Sequence, residues 1–172
     1  MRKKVQPKRK LDTGILIGVI AIIINIITVC VYMYQAKIMQ SQQHASAWPY
    51  LEWLLIFNEE QGLQLELKNN GIGPAIIKET SVKLKGVEIS MDSLFVELIG
   101  TDYFPHLTSV VQNRVLAPQN SIKPFQIVHT EWASKVYNEL QRAKFEFSVC
   151  YESVYGDQWT TYGTKVTKSD CR

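Results

Sequence analysis

The 172-residue chain lacks the residue patterns that mark common catalytic and metal sites. Its three histidines, His44, His106 and His129, have no histidine partner one helical turn away and form no H-E-x-x-H pattern, so no zinc site is predicted. No G-x-S-x-G pattern is present, and no cysteine has an evident local base. Acidic pairs such as Asp92 with Glu97 are ordinary on helix surfaces. We therefore expect no enzyme, no metal and no cofactor.

Charged side chains are missing from residues 14–34, where the sequence is mostly aliphatic. A helix rises about 1.5 Å per residue, so about 20 apolar residues cover a hydrocarbon core of about 30 Å. Every later segment of that length contains a charge. The sequence predicts a single transmembrane helix and a remainder that lies outside the membrane.

Acidic residues are nearly absent before the apolar run, in the predicted tail of residues 1–13. Under the positive-inside rule, this tail stays in the cytoplasm and the rest of the chain is translocated, which in a bacterium places it outside the inner membrane. The alternative is a signal peptide cleaved near Ala45-Ser46-Ala47, but the apolar run is longer than such peptides use. The tail carries one acid, Asp12, against six basic residues: Arg2, Lys3, Lys4, Lys8, Arg9 and Lys10.

Net positive charge is confined to that tail. Six of the 19 basic residues and one of the 16 acidic residues lie within the first twelve positions, so the rest of the chain has a formal charge of −2. Binding of nucleic acid by the main domain therefore has no electrostatic support.

One face of the predicted transmembrane helix differs from its aliphatic surroundings. Positions spaced alternately by four and three residues fall on a single helix face, and close packing of helices in membranes uses small and polar residues there. We expect this face, called the seam below, to contact a second copy or another membrane protein. The alternative is chance, with the amide bonded to its own helix. The seam consists of Gly14, Gly18, Ala21, Asn25, Thr28 and Tyr32.

Residues 35–47 favour helix and contain no glycine or proline, so they predict a helical stalk. Trp48-Pro49 marks the start of a domain over residues 48–172, which is long enough for one core. Runs of alternating apolar and polar residues predict several short strands, and two short helices begin near Ser90 and Thr130. This pattern predicts an antiparallel β-sandwich of immunoglobulin-like type with two short helices.

The chain contains few cysteines, and Cys30 falls within the predicted transmembrane helix. Cys150 and Cys171 both belong to the translocated domain, where a disulfide between them is plausible. Two unpaired thiols are the alternative.

Asn70, Gly71, Gly73 and Pro74 form the most conspicuous loop of the domain. Two glycines beside an asparagine can form an anion-binding nest of backbone N–H groups. The loop lacks the lysine and the following helix of a phosphate loop, and Asn-Gly and Gly-Pro pairs are common in turns. We predict a structural turn.

Two motifs support a resemblance to a family. They are Asn-x-Gly-x-Gly-Pro-Ala, which ends at Ala75, and Tyr-x-Ser-Val-Tyr-Gly-x-x-Trp, which ends at Trp159. Together with the apolar helix, they resemble bacterial single-pass membrane proteins that carry a small extracytoplasmic β-rich domain and have no assigned chemistry. The resemblance also implies cysteines around the last hairpin, where this chain has Glu152 and Gln158.

These observations predict a membrane-anchored, non-enzymatic assembly or sensing protein whose β-sandwich binds a protein partner or a ligand. The alternative is a transmembrane effector subunit of a bacterial defence or toxin system, which oligomerises through its helix and disturbs the membrane.

Overall fold

The computed structural model describes residues 13–171. The chain divides into two compact units, Met1–Gln43 and His44–Arg172. The basic tail predicted from the sequence lies almost wholly outside the described residues. The second unit begins before the predicted boundary at Trp48, because the last turn of the helix belongs with the β domain.

The described part of the first unit is helical and belongs to α1. The helix spans Thr13–Ser46, so its last residues lie in the second unit. Its long aliphatic run contains no proline, and none of its residues is buried. Among the described residues, it is a helix long and apolar enough to cross a membrane. The helix continues without interruption through the predicted stalk.

The second unit is a β domain with two further helices, α2 (Leu94–Ile99) and α3 (Thr130–Arg142), and a short 3-10 turn over Met91–Ser93. The prediction of an apolar helix followed by a mainly β domain is confirmed. The strands are β1 (Leu51–Asn58), β2 (Gly62–Asn69), β3 (Ala75–Leu84), β4 (Val87–Ile89), β5 (Leu107–Thr108), β6 (Val115–Leu116), β7 (Ser121–Ile127), β8 (Glu146–Glu152), β9 (Gln158–Tyr162) and β10 (Lys165–Lys168).

The strands form two antiparallel sheets. Sheet A has the order β1-β2-β7-β5, and sheet B has the order β10-β9-β8-β3-β4, with β6 also paired to β3. At one side of the domain, the backbone N–H of Trp53 donates to the Gly163 carbonyl at 3.2 Å. The edge of sheet A therefore meets the β9–β10 turn of sheet B. The order of the strands puts β5 and β4 at the other side.

The core lies between the two sheets because the longer strands turn most of their apolar residues inward. Leu63, Leu65 and Leu67 alternate with polar residues along β2 and are fully buried, as period-two patterning requires. Phe147 and Tyr151 do the same on β8. The Tyr151 hydroxyl accepts the Leu51 N–H at 3.3 Å, and burial raises the pKa of this phenol to about 12.

The helix starts differ in detail from the sequence prediction. Ser90 caps the 3-10 turn, by accepting the Asp92 N–H, rather than the α-helix that follows. Helix α3 includes Thr130 as its first residue, and the N-cap is His129. The Thr130 hydroxyl donates instead to the Glu59 carbonyl at 3.2 Å, which ties α3 to the β1–β2 turn.

Cys150 and Cys171 are bonded through their sulfurs, with Cα atoms 5.6 Å apart, a separation usual for disulfides. The bond closes a loop with a sequence separation of 21 residues and fastens the segment after β10 to β8. Cys30 is the free cysteine of the described residues and is exposed on α1.

We expect Cys171→Ser to lower the free energy of unfolding by about 3 kcal/mol, since a loop of this length loses its covalent closure. Chemical denaturation of the purified protein measures the change, and reductant should reproduce it in the wild type.

In cells, maleimide should label Cys150 and Cys171 only after reduction if the domain is translocated. Full labelling of both thiols without reductant would contradict the bond and the orientation together.

Candidate functional site at the helix exit

The segment from His44 to Tyr50, called the helix exit below, lies in the second unit and carries the chain from α1 into β1. Trp48-Pro49 ends the helical conformation, because a residue before proline avoids the helical region. The next three features hold this segment against the β domain.

The first feature is the loop between β2 and β3. The Trp48 carbonyl accepts the N–H groups of Ile72 and Gly73 at 3.1 and 3.2 Å, and the Tyr50 carbonyl accepts the Asn70 N–H at 2.8 Å. These backbone donors are used inside the protein, so they are not free to hold an anion. The loop binds the helix exit instead.

Two positions of this loop require glycine because the loop backbone lies directly against the backbone of the helix exit. A Cβ atom at Gly73 would overlap the backbone of Ala47, and one at Gly71 would overlap the backbone between Trp48 and Tyr50. The intervening Ile72 points outward and is 64 % exposed. The alternation of glycine with a larger residue therefore reflects packing against the helix exit.

The second feature is Asn69, a fully buried amide. Its Oδ1 accepts the N–H groups of Tyr50 and Gly71 at 3.2 and 3.0 Å. Its Nδ2 donates to the carbonyls of Gly73 and Leu116 at 2.9 and 3.1 Å. One side chain thus joins the helix exit, the glycine loop and β6, with all of its bonding capacity satisfied.

The sequence prediction named the neighbouring Asn70, which has a different position. Asn70 is exposed, and its amide donates to the Glu52 carboxylate at 2.8 Å. Strand parity distinguishes the two residues, because Asn69 follows Leu63, Leu65 and Leu67 on the inward face of β2. That signal was available in the sequence.

The third feature is the β8–β9 hairpin. His44 Nδ1 lies 2.7 Å from Asp157 Oδ2, and the imidazole stacks on Tyr155 with ring centres 4.6 Å apart. Lys168 Nζ lies 3.3 Å from the other carboxylate oxygen. The buried hydroxyl of Ser153 holds the turn by accepting the N–H groups of Tyr155 and Asp157.

The hydrogen bond with His44 lowers the pKa of Asp157 below its ordinary value of 3.8. The hydrogen bond and the charge of Lys168 lower this pKa further, by a smaller amount. Because the folded-state pKa is depressed, the ionised carboxylate stabilises the domain above the ordinary pKa. This stabilisation disappears as the pH falls through the folded-state value.

Glu152 and Gln158, where the resemblance implies cysteines, are bonded to each other. Gln158 Nε2 donates to Glu152 at 3.3 Å, while Gln158 Oε1 accepts the Cys171 N–H at 2.7 Å. Lys78 lies 2.7 Å from Glu152 and lowers the pKa of that carboxyl. Polar contacts thus join the two strands of the hairpin, and the Cys150–Cys171 bond lies beside them.

The seam residues lie along one helix, and each is exposed. Asn25 Nδ2 donates to the Ala21 carbonyl and Thr28 Oγ1 to the Ile24 carbonyl, both at 2.8 Å. These bonds satisfy part of the polar capacity inside the helix, as the alternative interpretation expects. The side-chain oxygen of Asn25, Oδ1, makes no hydrogen bond within the described residues.

The three histidines lie apart. His44 is at the helix exit, His129 stands at the N-cap position of α3 without a capping bond from its side chain, and His106 Nδ1 lies 2.9 Å from the Phe104 carbonyl within an aromatic cluster. Across residues 13–171, no three histidine, cysteine or carboxylate side chains come together as metal ligands would.

The family described as Domain of unknown function (DUF8453) matches residues 14–168, so its extent includes the apolar helix, the helix exit and the β domain. The chain belongs to this family. No curated protein and no solved structure matches the chain.

We expect Asn69→Ala to lower the free energy of unfolding by about 3 kcal/mol, because four buried backbone groups lose their partner. Asn70→Ala, its matched control, removes one exposed bond and should change stability by less than about 1 kcal/mol. Denaturant titration compares the two variants. Equal effects would contradict the role assigned to Asn69.

Acid unfolding tests the Asp157 contacts. The stability advantage of wild type over Asp157→Asn should shrink as the pH falls below about 4, since the wild-type carboxylate becomes protonated. His44→Ala should reduce the advantage more than Lys168→Ala, following the order of their effects on the pKa of Asp157. An advantage that is independent of pH between 2 and 6 would contradict this account.

Proposed function

We propose that this member of the DUF8453 family is a non-enzymatic, single-pass assembly or sensing protein of the bacterial inner membrane. Its N-terminus lies in the cytoplasm, and its β domain, an immunoglobulin-like sandwich, binds a protein partner or a ligand outside the membrane. The observation that carries this proposal is the helix exit, which is bonded to the β domain by backbone contacts, Asn69 and His44.

A helix exit of this kind suits signal transmission better than passive tethering. A flexible linker of glycine and serine would decouple a domain from its anchor. Here the residues after Gln43 are held by hydrogen bonds at 2.7–3.2 Å, so a change in the glycine loop or the hairpin alters the contacts of the helix exit directly. Occupancy of the domain thereby biases the state of the helix.

Assembly occurs through the seam in this proposal. Gly14 and Gly18 have the spacing that lets two helix backbones approach closely, and a Cβ atom at either position would have no neighbour within 4 Å in the single chain. The Oδ1 atom of Asn25 can still accept a hydrogen bond, and the surrounding hydrocarbon offers no donor for it. An amide contact across two helices contributes about 0.6–2 kcal/mol.

Gly18→Ile and Asn25→Leu should each weaken association of the full chain by about 1 kcal/mol, or roughly fivefold. The first separates two backbones and the second removes the polar contact. Ile23→Leu, outside the seam, is the control and should have little effect. A membrane two-hybrid assay or cross-linking in native membranes measures the difference.

Equal association by all three variants would contradict assembly through the seam. Depolarisation of cells on overexpression, read with a membrane-potential dye and abolished by Gly18→Ile, would instead favour the effector alternative. Association without depolarisation supports the assembly or sensing protein.

A further inference from the structure

The second half of strand β1 is an open edge of sheet A. In an antiparallel pair, every second residue of β1 turns its backbone N–H and C=O toward β2, and the others turn theirs outward. The Trp53 N–H points outward, because it donates to Gly163 outside sheet A. By the same alternation, Leu55 and Phe57 also face outward. Within residues 13–171, the backbone groups of these two residues have no hydrogen-bond partner.

The other strand edges of the domain are protected in ordinary ways. Strand β10 has four residues and begins and ends with lysine, β4 has three residues, and β5 and β6 have two each. Short edge strands and edge lysines prevent unwanted strand pairing. Strand β1 has eight residues without lysine or proline, and Leu54 on its outer face is 47 % exposed. This edge is therefore unlike the others and is open to a further strand.

A cavity of about 170 Å³ lies beside the open part of β1, where the end of α3 approaches the strand. Trp53, Leu55 and Phe145 are its half-buried apolar residues, and Gln141 and Lys144 form an exposed rim. Residues directly opposite each other in an antiparallel pair share one face of the sheet. A strand added to β1 would therefore direct the side chain opposite Leu55 toward this cavity, which has room for one aliphatic side chain.

The indole of Trp53 is a second sign that this edge is incomplete. Its Nε1 is buried and has no hydrogen-bond partner within the described residues. Buried side-chain donors are usually bonded, so such a group needs an explanation. The indole packs edge-on against Phe145 with ring centres 5.9 Å apart, and both rings line the cavity. An added strand would bring new carbonyl groups to the side of β1 where this donor lacks one.

Charge argues against a second copy of β1 as the added strand. The Trp53 N–H is already used, so the antiparallel register that uses the free groups of both residues places Leu55 of each copy opposite Phe57 of the other. In that register, Glu52 of each copy lies opposite Glu60 of the other. Like charges directly opposite each other destabilise a pair of strands. A segment of a different protein avoids this repulsion.

The charges along the edge indicate the sequence of that segment. Glu59 and Glu60 follow β1 in the turn, are exposed and favour basic residues at that end. Lys144, at the rim of the cavity, disfavours a basic residue further along. The pairs within sheet A are antiparallel, so a segment added in the same way has its basic residues before its aliphatic ones.

We propose that β1 is the docking edge for an extended segment of a protein partner. The segment pairs antiparallel with β1, places aliphatic residues opposite Leu55 and Phe57, and places basic residues opposite Glu59 and Glu60. The inference rests on the proposed binding function of the β domain and states the chemistry of its partner.

The test uses the full chain in detergent and the peptide Lys-Lys-Thr-Val-Val-Leu-Val, acetylated at its N-terminus and carrying fluorescein at its C-terminus. We expect saturable binding by fluorescence anisotropy. A peptide with Glu-Glu in place of Lys-Lys should bind about tenfold more weakly at low salt, and added salt should reduce this difference. N-methylation of the leucine should weaken binding at least about tenfold, because it removes the N–H that bonds the Leu55 carbonyl.

Two substitutions locate the peptide on β1. Leu55→Pro removes the outward N–H without removing a bond to β2, and it should weaken binding at least about tenfold. Glu60→Lys should weaken binding of the Lys-Lys peptide by about fivefold and strengthen binding of the Glu-Glu peptide.

Glu97→Lys, exposed on α2 and away from β1, is the matched control for charge and should bind both peptides as wild type does. Thermal unfolding verifies that each variant is folded. The exposed position of Glu60 keeps the test valid if Leu55→Pro is unstable.

Absence of saturable binding, equal binding of the N-methylated peptide, or an unchanged order of the two charged peptides in folded Glu60→Lys would overturn the proposal. A dimer in detergent that Leu55→Pro dissociates and Gly18→Ile does not would also overturn it, in favour of a second copy at this edge. These failures leave the seam and the orientation unaffected. Conversely, loss of association through the seam leaves peptide binding intact.

Discussion

The buried carboxamide of Asn69 is the contact on which the arrangement of this domain depends. It bonds the segment leaving the helix, the glycine loop and β6, which are distant in sequence. Hydrophobic burial holds the two sheets together but is not directional. Directional bonds from one amide fix where the chain enters the β domain, and the glycines let the two backbones approach closely enough to use them.

The need for hydrogen-bond partners explains the contacts of the helix exit. Backbone groups that leave a helix and enter a strand must find partners, and the loop and hairpin supply them. His44 contributes through its bond with Asp157, which ties the last turn of the helix to a different part of the sheet. Two independent attachments restrict this segment more than either attachment alone.

Much of the architecture could be predicted from local patterns. The uncharged run indicated the long helix, and alternation along residues 63–67 indicated an inward strand face. The same alternation predicts that Asn69 faces inward, although the more conspicuous Asn70 was the residue predicted to form the turn.

The spacing of the seam residues predicts that they share one helix face, but the sequence of the helix does not identify the partner that this face contacts.

Other features could not be read from local patterns because they arise from distant pairings. The short strands β5 and β6 contain too few residues for a periodic signal, and they form by pairing with β7 and β3. Which residues of β3 are paired on its β4 side depends on where β4 ends and where residues 113–114 begin to bond, so this pattern exists only after folding.

The β8–β9 turn receives both ends of the domain. Asp157 contacts His44, where the domain begins, and the adjacent Gln158 bonds Cys171, the last residue described. The first and last described residues of the domain are therefore neighbours, a geometry that lets a domain be circularly permuted without disturbing its core.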